Sequence, residues 1–178
     1  MKTTWMLAMV LTLAMVPLPA SGQGMERDAE AALAALYGSQ PTAKTLGGEA
    51  RAILVFPRIV KGGFLVGAQY GEGVLLKGGQ PAGRYSIAAG SYGLQAGVQE
   101  FAYALFFMKD EALVYFDKSD GFEVGVGPSV VVMDEGKAKT FTTTTGRDDV
   151  YAFVFGQKGL MAGMGLQGSK ITPYTPDF

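Results

Sequence analysis

The apolar positions of the chain change period once. Met25, Ala29, Leu33 and Leu36 recur at spacings of four, four and three, the repeat of one helix face, so residues 25–37 are predicted to form an amphipathic helix. Glu26, Asp28 and Glu30 fall in its early turns, where the positive end of the helix dipole favours carboxylates, and Gly38 is placed to close it. Ser39 and Pro41 suit the start of a second short helix that turns Ala43, Leu46 and Ala50 inward. From Ile53 onward the pattern becomes short runs of Val, Ile, Phe and Tyr broken by glycine and proline, which spells strands and turns. Strands are expected near 52–56, 63–70, 72–77, 84–98, 101–108, 122–133, 138–145, 150–156 and 160–171, with a short helical turn at Asp110 to Phe116.

Glycine decides the shape of the sheet. Gly71 with Gly73, Gly125 with Gly127 and Gly163 with Gly165 are each two apart, so in a strand each pair faces one side. Such bare patches mark bulges, barrel corners or a close approach by another backbone. The fold class is therefore α+β: two N-terminal helices packed on a strongly curved, glycine-rich antiparallel or barrel-like sheet. The pattern Gly-Leu-x-Ala-Gly at 93–97 and again at 159–163 is read as convergent strand packing, five residues being too few to establish duplication.

Ahead of the first helix, Lys2 leads into an apolar run from Trp5 to Val16 that Pro17 and Pro19 interrupt before Ala20-Ser21-Gly22. The run is shorter than the roughly 20 residues a transmembrane helix needs, and it fits an export signal. Residues 1–22 are read as a signal peptide, with cleavage after Gly22 or alternatively after Ala20, and 23–178 as one domain. With no cysteine in the chain there is no acylation site and no disulfide. The 15 basic and 16 acidic residues nearly balance, which argues against nucleic acid as a partner.

The chain also has no histidine and no asparagine. That removes the commonest general base and, with cysteine, the main zinc and haem ligands, so histidine-dependent triads are excluded. Carboxylate doublets at Asp110-Glu111, Asp134-Glu135 and Asp148-Asp149 are read as exposed turns, because neighbours on a strand point to opposite faces. Asp117 to Glu123 lacks the length and spacing of a calcium loop. Gly163-Met164-Gly165-Leu166-Gln167-Gly168 has glycines at dinucleotide-site spacing, but Pro173 follows where a helix is required. No enzyme activity, metal or cofactor is expected.

Residues 50–73 place the run Ala52-Ile53-Leu54-Val55-Phe56, the stop at Pro57, the cations Arg58 and Lys61, and the glycine-studded Gly62 to Gly73 in close succession. Gly93-Leu94-Gln95-Ala96-Gly97-Val98-Gln99, then Asp148-Asp149-Val150-Tyr151-Ala152-Phe153, then Gly159 to Gly163 and Gly168 to Ile171 follow in order. Together these blocks resemble the SYLF domain family over about residues 40–172. The resemblance implies lipid binding, best described for acidic phosphoinositides, and fungal members are also described as actin regulators. It implies acidic phospholipid or a membrane surface as the partner here, and an exported protein would not meet actin.

Charge distribution suggests where. Residues 42–84 hold Lys44, Arg51, Arg58, Lys61, Lys77 and Arg84 against Glu49 and Glu72, whereas 85–136 hold two cations against eight acids. Either the cations pair with the acidic segment or they face anionic lipid. The resemblance favours the second, with Arg51, Arg58, Lys61 and Phe64 as the candidate lipid-binding residues and Arg58 and Lys61 expected exposed in a loop after Pro57. Phe56 is expected in the core. The acidic polar face of the first helix assigns it to packing on the sheet. The reading is a non-enzymatic lipid-binding module of the cell envelope, in the periplasm or peripheral to a membrane. A carrier of an apolar ligand and a structural or assembly protein are the alternatives.

Overall fold

The computed structural model describes residues 22–133, 148–159 and 168–174, with the backbone alone at 91–96. The expected leader, the expected strand at 138–145, the Asp134-Glu135 doublet and the Gly163/Gly165 pair lie outside these residues. Elements follow in the order α1 (Gly22–Ser39), α2 (Pro41–Glu49), β1 (Ala52–Lys77), β2 (Gln80–Phe107), α3 (Asp110–Lys118), β3 (Phe122–Glu123), β4 (Val130–Met133), β5 (Val150–Gly159) and β6 (Lys170–Pro173). The class is α+β, with a strongly curled sheet under two N-terminal helices.

Three expected strands are one. β1 runs 26 residues straight through Pro57, and β2 runs 28, paired antiparallel from Ala52 with Phe107 to Lys77 with Gln80. Gly78 and Gly79 turn the ribbon back with φ of 59° and 77°, both in the region that a tight hairpin requires and that glycine takes without steric cost. On its other side β2 pairs with β6 over 85–88 and with β5 over 99–107, leaving β1 at the edge among the described strands. All pairs are antiparallel except β4 with β5, which are parallel from Val130 with Val150 to Met133 with Phe153. The sheet is therefore mixed.

The long ribbon does not stay straight. Between Phe64 with Ala96 and Val66 with Tyr92 the register leaves one residue of β1, Leu65, opposite three of β2, so β2 takes the longer outer path and the ribbon bends toward β1. The two arms of β1 then meet each other. A Cβ added at Gly63 would strike Gly67, one at Gly71 would lie 2.8 Å from the Arg58 carbonyl oxygen, and one at Gly73 would lie 2.5 Å from that of Val55. Gly71 and Gly73 are bare because the same strand passes beside them. Gly125 and Gly127, by contrast, are turn glycines with φ of 102° and 91°, not a bare strand face as their spacing suggested.

Two cores result, one on each face. Leu54, Phe56, Ile59, Leu75, Ile87, Phe101, Tyr103, Leu105 and Phe107 line the concave side, closed by Ala112 and Phe116 of α3 and by Phe122. Ile53, Val55, Val74, Leu76, Ala104, Phe106, Tyr151 and Phe153 line the other, covered by Met25, Ala29 and Leu36 of α1 and Ala43 and Leu46 of α2. Being apolar on both faces, the first five residues of β1 read as a continuous run. α1 begins by Gly22 and continues through Gly38 to Ser39, so Glu26, Asp28 and Glu30 fall beyond its first turn and Gly38 is not its stop. Glu26 instead pairs with Arg84 of β2 at 3.4 Å. The Asp110-Glu111 doublet is the first turn of α3 and not a turn between strands.

Asp149 clasps three elements. Lys109 donates to its Oδ1 at 2.7 Å, and the Ser129 amide and hydroxyl donate to its Oδ2 at 3.0 and 3.1 Å. The hydrogen bond from Lys109 and those from Ser129 hold the carboxyl below the usual carboxylate range. A carboxyl whose folded pKa is depressed stabilises the fold above its unfolded pKa and loses that contribution as pH falls through the folded value. Asp149→Asn should therefore lower the thermal midpoint at pH 7, and the gap to wild type should close as the pH falls below the ordinary carboxylate value of 3.8.

The glycines separate by role. Gly73→Ala should cost about 1–3 kcal/mol, the usual cost of overpacking, because backbone occupies the space. Gly48→Ala, in α2 with nothing within 4 Å of the added carbon, should gain about 0.5–1 kcal/mol. Urea midpoints of the two variants measure both.

Candidate functional site

At the bend the polarity of the ribbon inverts. No Asp, Glu, Lys or Arg occurs at 62–71 or 85–99. Ile59 and Phe101 point into the concave core, and strand alternation sends Lys61 and Gln99, two positions further, to the same side. Both are buried, while their chain neighbours Val60 and Val98 face outward. At the apex Phe64, Leu65 and Val66 are 74%, 51% and 60% exposed. Leu65 has φ 62°, and no other non-glycine among the described residues has positive φ. A left-handed residue breaks the two-residue alternation, which lets three consecutive apolar side chains all face water. With Val60, Val98 and Tyr70, also exposed, they give the bend an apolar outer surface of the kind that marks an interaction site.

Charge sits at the shoulder of the bend, not at its tip. Arg58 Nε donates to Glu100 Oε2 at 2.8 Å, and Lys158 of β5, exposed, is the register partner of Glu100. Two cations thus flank one acid, next along the outer face from Val60 and Val98.

The four residues singled out from the sequence do not form one cluster. Arg51 lies at the far end of the ribbon, where Ala52 pairs with Phe107, with its Nε 3.4 Å from Asp110 Oδ1. Arg58 is on the shoulder and Phe64 at the apex. Lys61 is 5% exposed and on the concave side, not in an exposed loop. β1 passes Pro57 and Arg58 as a bulge between Phe56 and Ile59, and the alternation restored at Ile59 turns Lys61 inward. Pairing with acids accounts for much of the basic segment: Arg51 with Asp110, Arg58 with Glu100, Lys77 with Asp117 and Arg84 with Glu26. Phe56 is fully buried, as expected. Leu65, Val66, Val98 and Lys158 were not anticipated; the signal available for the first three was the lack of charge across 62–71 and 85–99.

A family profile described as "Las17-binding protein actin regulator", Ysc84, matches residues 88–176. The chain belongs to this family, the SYLF domains. The SYLF match takes in β2 from Ala88 and every later element, while the Ala50 to Gly73 segment that builds the inner side of the bend lies ahead of it. No curated protein matches the chain. SYLF domains are a family related to lipid binding and actin regulation and are not known as enzymes. Among the described residues no group of three or more acidic side chains is placed to hold a metal ion.

Leu65 carries a testable strain. Leucine in the left-handed region costs roughly 1–2 kcal/mol, and asparagine tolerates it better. Leu65→Asn should raise the thermal midpoint by a few degrees, as expected for about 1 kcal/mol in a chain of this size. A lowered midpoint would show that the Leu65 side chain packs in the fold instead of standing out from it.

Proposed function

We propose that this SYLF domain is a non-enzymatic, peripheral lipid-binding module that inserts the apex of its β1–β2 bend into the surface of a membrane. The observation that carries the reading is the uncharged bend with Phe64, Leu65 and Val66 consecutively exposed. Side chains standing in water at a strained position cost the isolated protein, and hydrocarbon returns that cost. Full burial of such side chains gives about 1.5–3 kcal/mol each. Counting half of that for Phe64, Leu65, Val66 and Val98 gives roughly 5 kcal/mol, between millimolar and micromolar affinity. The cations contribute less than their number suggests, since four of them already hold carboxylates. Arg58 and Lys158 around Glu100 leave a single positive excess at the shoulder, which favours acidic phospholipid over neutral lipid without dominating the binding.

No described helix is long and apolar enough to cross a membrane, so the described part offers the bend and not a helical span. The concave core is occupied by Phe56, Phe101, Tyr103 and Phe107, which supports a surface binder over a carrier of a large apolar ligand. The Lys2 to Gly22 pattern supports export to a bacterial envelope. In that location the Las17 and actin partners named in the family description would not be met.

The test replaces Phe64 and Val66 together by serine. Co-sedimentation with vesicles of mixed neutral and anionic phospholipid should fall at least tenfold while the thermal midpoint holds, because both side chains are exposed. Raising the salt should weaken wild-type binding only slightly. Unchanged vesicle binding by the folded double variant, or binding abolished by salt alone, would remove the bend from the function.

A further inference from the structure

Past the bend the outer face of the sheet changes character again. Tyr70, Ala88 and Lys170 are register partners across β1, β2 and β6, and so are Glu72, Ser86 and Thr172, two positions further along each strand. Register partners share a face, and Val74, two beyond Glu72, lies in the core under α1 and α2, so all six stand on the helix side of the sheet. No helix covers them there. Tyr70 is 49% exposed, Ala88 and Lys170 are exposed, and Glu72, Ser86 and Thr172 are half-buried.

The polar groups of this patch hold one another in place. The Tyr70 hydroxyl donates to Glu72 Oε1 at 3.0 Å, and Ser86 Oγ and Thr172 Oγ1 share a hydrogen bond of 3.0 Å. Partial burial, and then Glu72, pushes the Tyr70 phenol up to about 12, so at neutral pH it remains a donor. Two hydroxyls that share one hydrogen leave the other free to donate, and Glu72 keeps a second oxygen to accept. The charge leaves no spare cation. Lys170 is the register partner of Glu123, and Arg84, two before Ser86 on β2, pairs with Glu26 at 3.4 Å. With Glu72 added, acids outnumber cations here, which disfavours a phosphate or carboxylate and suits an uncharged ligand rich in hydroxyls.

We propose that this patch of β1, β2 and β6 binds a neutral glycan. The half-exposed Tyr70 ring and the Ala88 methyl beside it give an apolar strip for the C–H face of a pyranose. The parallel row takes the hydroxyls. Glu72 accepts from one, the Ser86 and Thr172 pair donates to another, and the Lys170 ammonium donates at the far end of the strip. Neighbouring strands lie about 4.8 Å apart, so three of them offer about 10 Å, room for a short oligosaccharide. Donors and acceptors already fixed by their own hydrogen bonds lose little freedom when the ligand arrives. The site uses neither Phe64 nor Val66, so it stands or falls apart from the membrane reading.

The experiment titrates the full chain by calorimetry with cellotetraose, acetylated chitotetraose and maltotetraose, and with glycerol phosphate as the charged control. At least one of the three neutral tetramers should bind the wild type with a Kd of about 1 mM or tighter. Glu72→Gln keeps an oxygen for Tyr70 and removes the charged acceptor, so that binding should weaken about tenfold. Ala88→Gln leaves every polar partner in place and fills the floor between Tyr70 and Lys170, which should abolish binding while the thermal midpoint holds, Ala88 being exposed. Phe64 and Val66 changed together to serine should leave glycan binding intact while vesicle binding is lost. The proposal is overturned if none of the tetramers binds, if glycerol phosphate binds more tightly than they do, or if a folded Ala88→Gln binds like wild type. Should Ala88→Gln not fold, Glu72→Gln decides alone, and wild-type affinity in that variant overturns the proposal.

Discussion

The approach of β1 to itself is the constraint on which the rest depends. An edge strand of 26 residues would ordinarily present a long row of unpaired amides and carbonyls, a template for aggregation. Here the strand folds toward its own edge, with the Val55 and Arg58 carbonyls reaching the backbone at Gly73 and Gly71. No residue with a side chain fits at those two places. Because the arms are brought this close, one face of the ribbon becomes a concave core that α3 closes, and the other becomes a platform for α1 and α2.

Closing the arms forces a bend, and the bend is where polarity inverts. Leu65 opposes three residues of β2 and takes a left-handed conformation, so alternation fails locally and Phe64, Leu65 and Val66 all turn outward. On either side of the failure alternation persists and sends Lys61, Gln69 and Gln99 inward. The apolar outside fits a surface that meets lipid, with the paired cations elsewhere serving to hold α1, α3 and the ribbon in place.

The sequence by itself determined the helices, the strand-rich remainder and the family. The 3.6-residue period at Met25 to Leu36 defined α1, Pro41 defined the start of α2, and the blocks from Gly93 to Ile171 marked the SYLF fold. Curvature was legible in Gly71 and Gly73, since a bare pair in a strand allows close approach. The missing histidine and cysteine bounded the chemistry in the same way. What the sequence could not show is which strand makes that approach, because a glycine records that space is needed and not what fills it.

Tertiary structure alone decided the direction of the side chains at the bend. Pro57 reads as a strand end, yet a bulge carries β1 past it, and that one extra residue sets the phase that buries Lys61 and exposes Val60. In a two-residue repeat a shift of one exchanges the faces, so no local reading of Arg58, Lys61 and Phe64 could place them correctly. The pairing of Arg51 with Asp110 and of Arg58 with Glu100 likewise joins residues far apart in the chain. Charge counted along the sequence gave a basic segment; the register of β1 against β2 decided that most of it is spent on the fold and that the exposed surface is apolar.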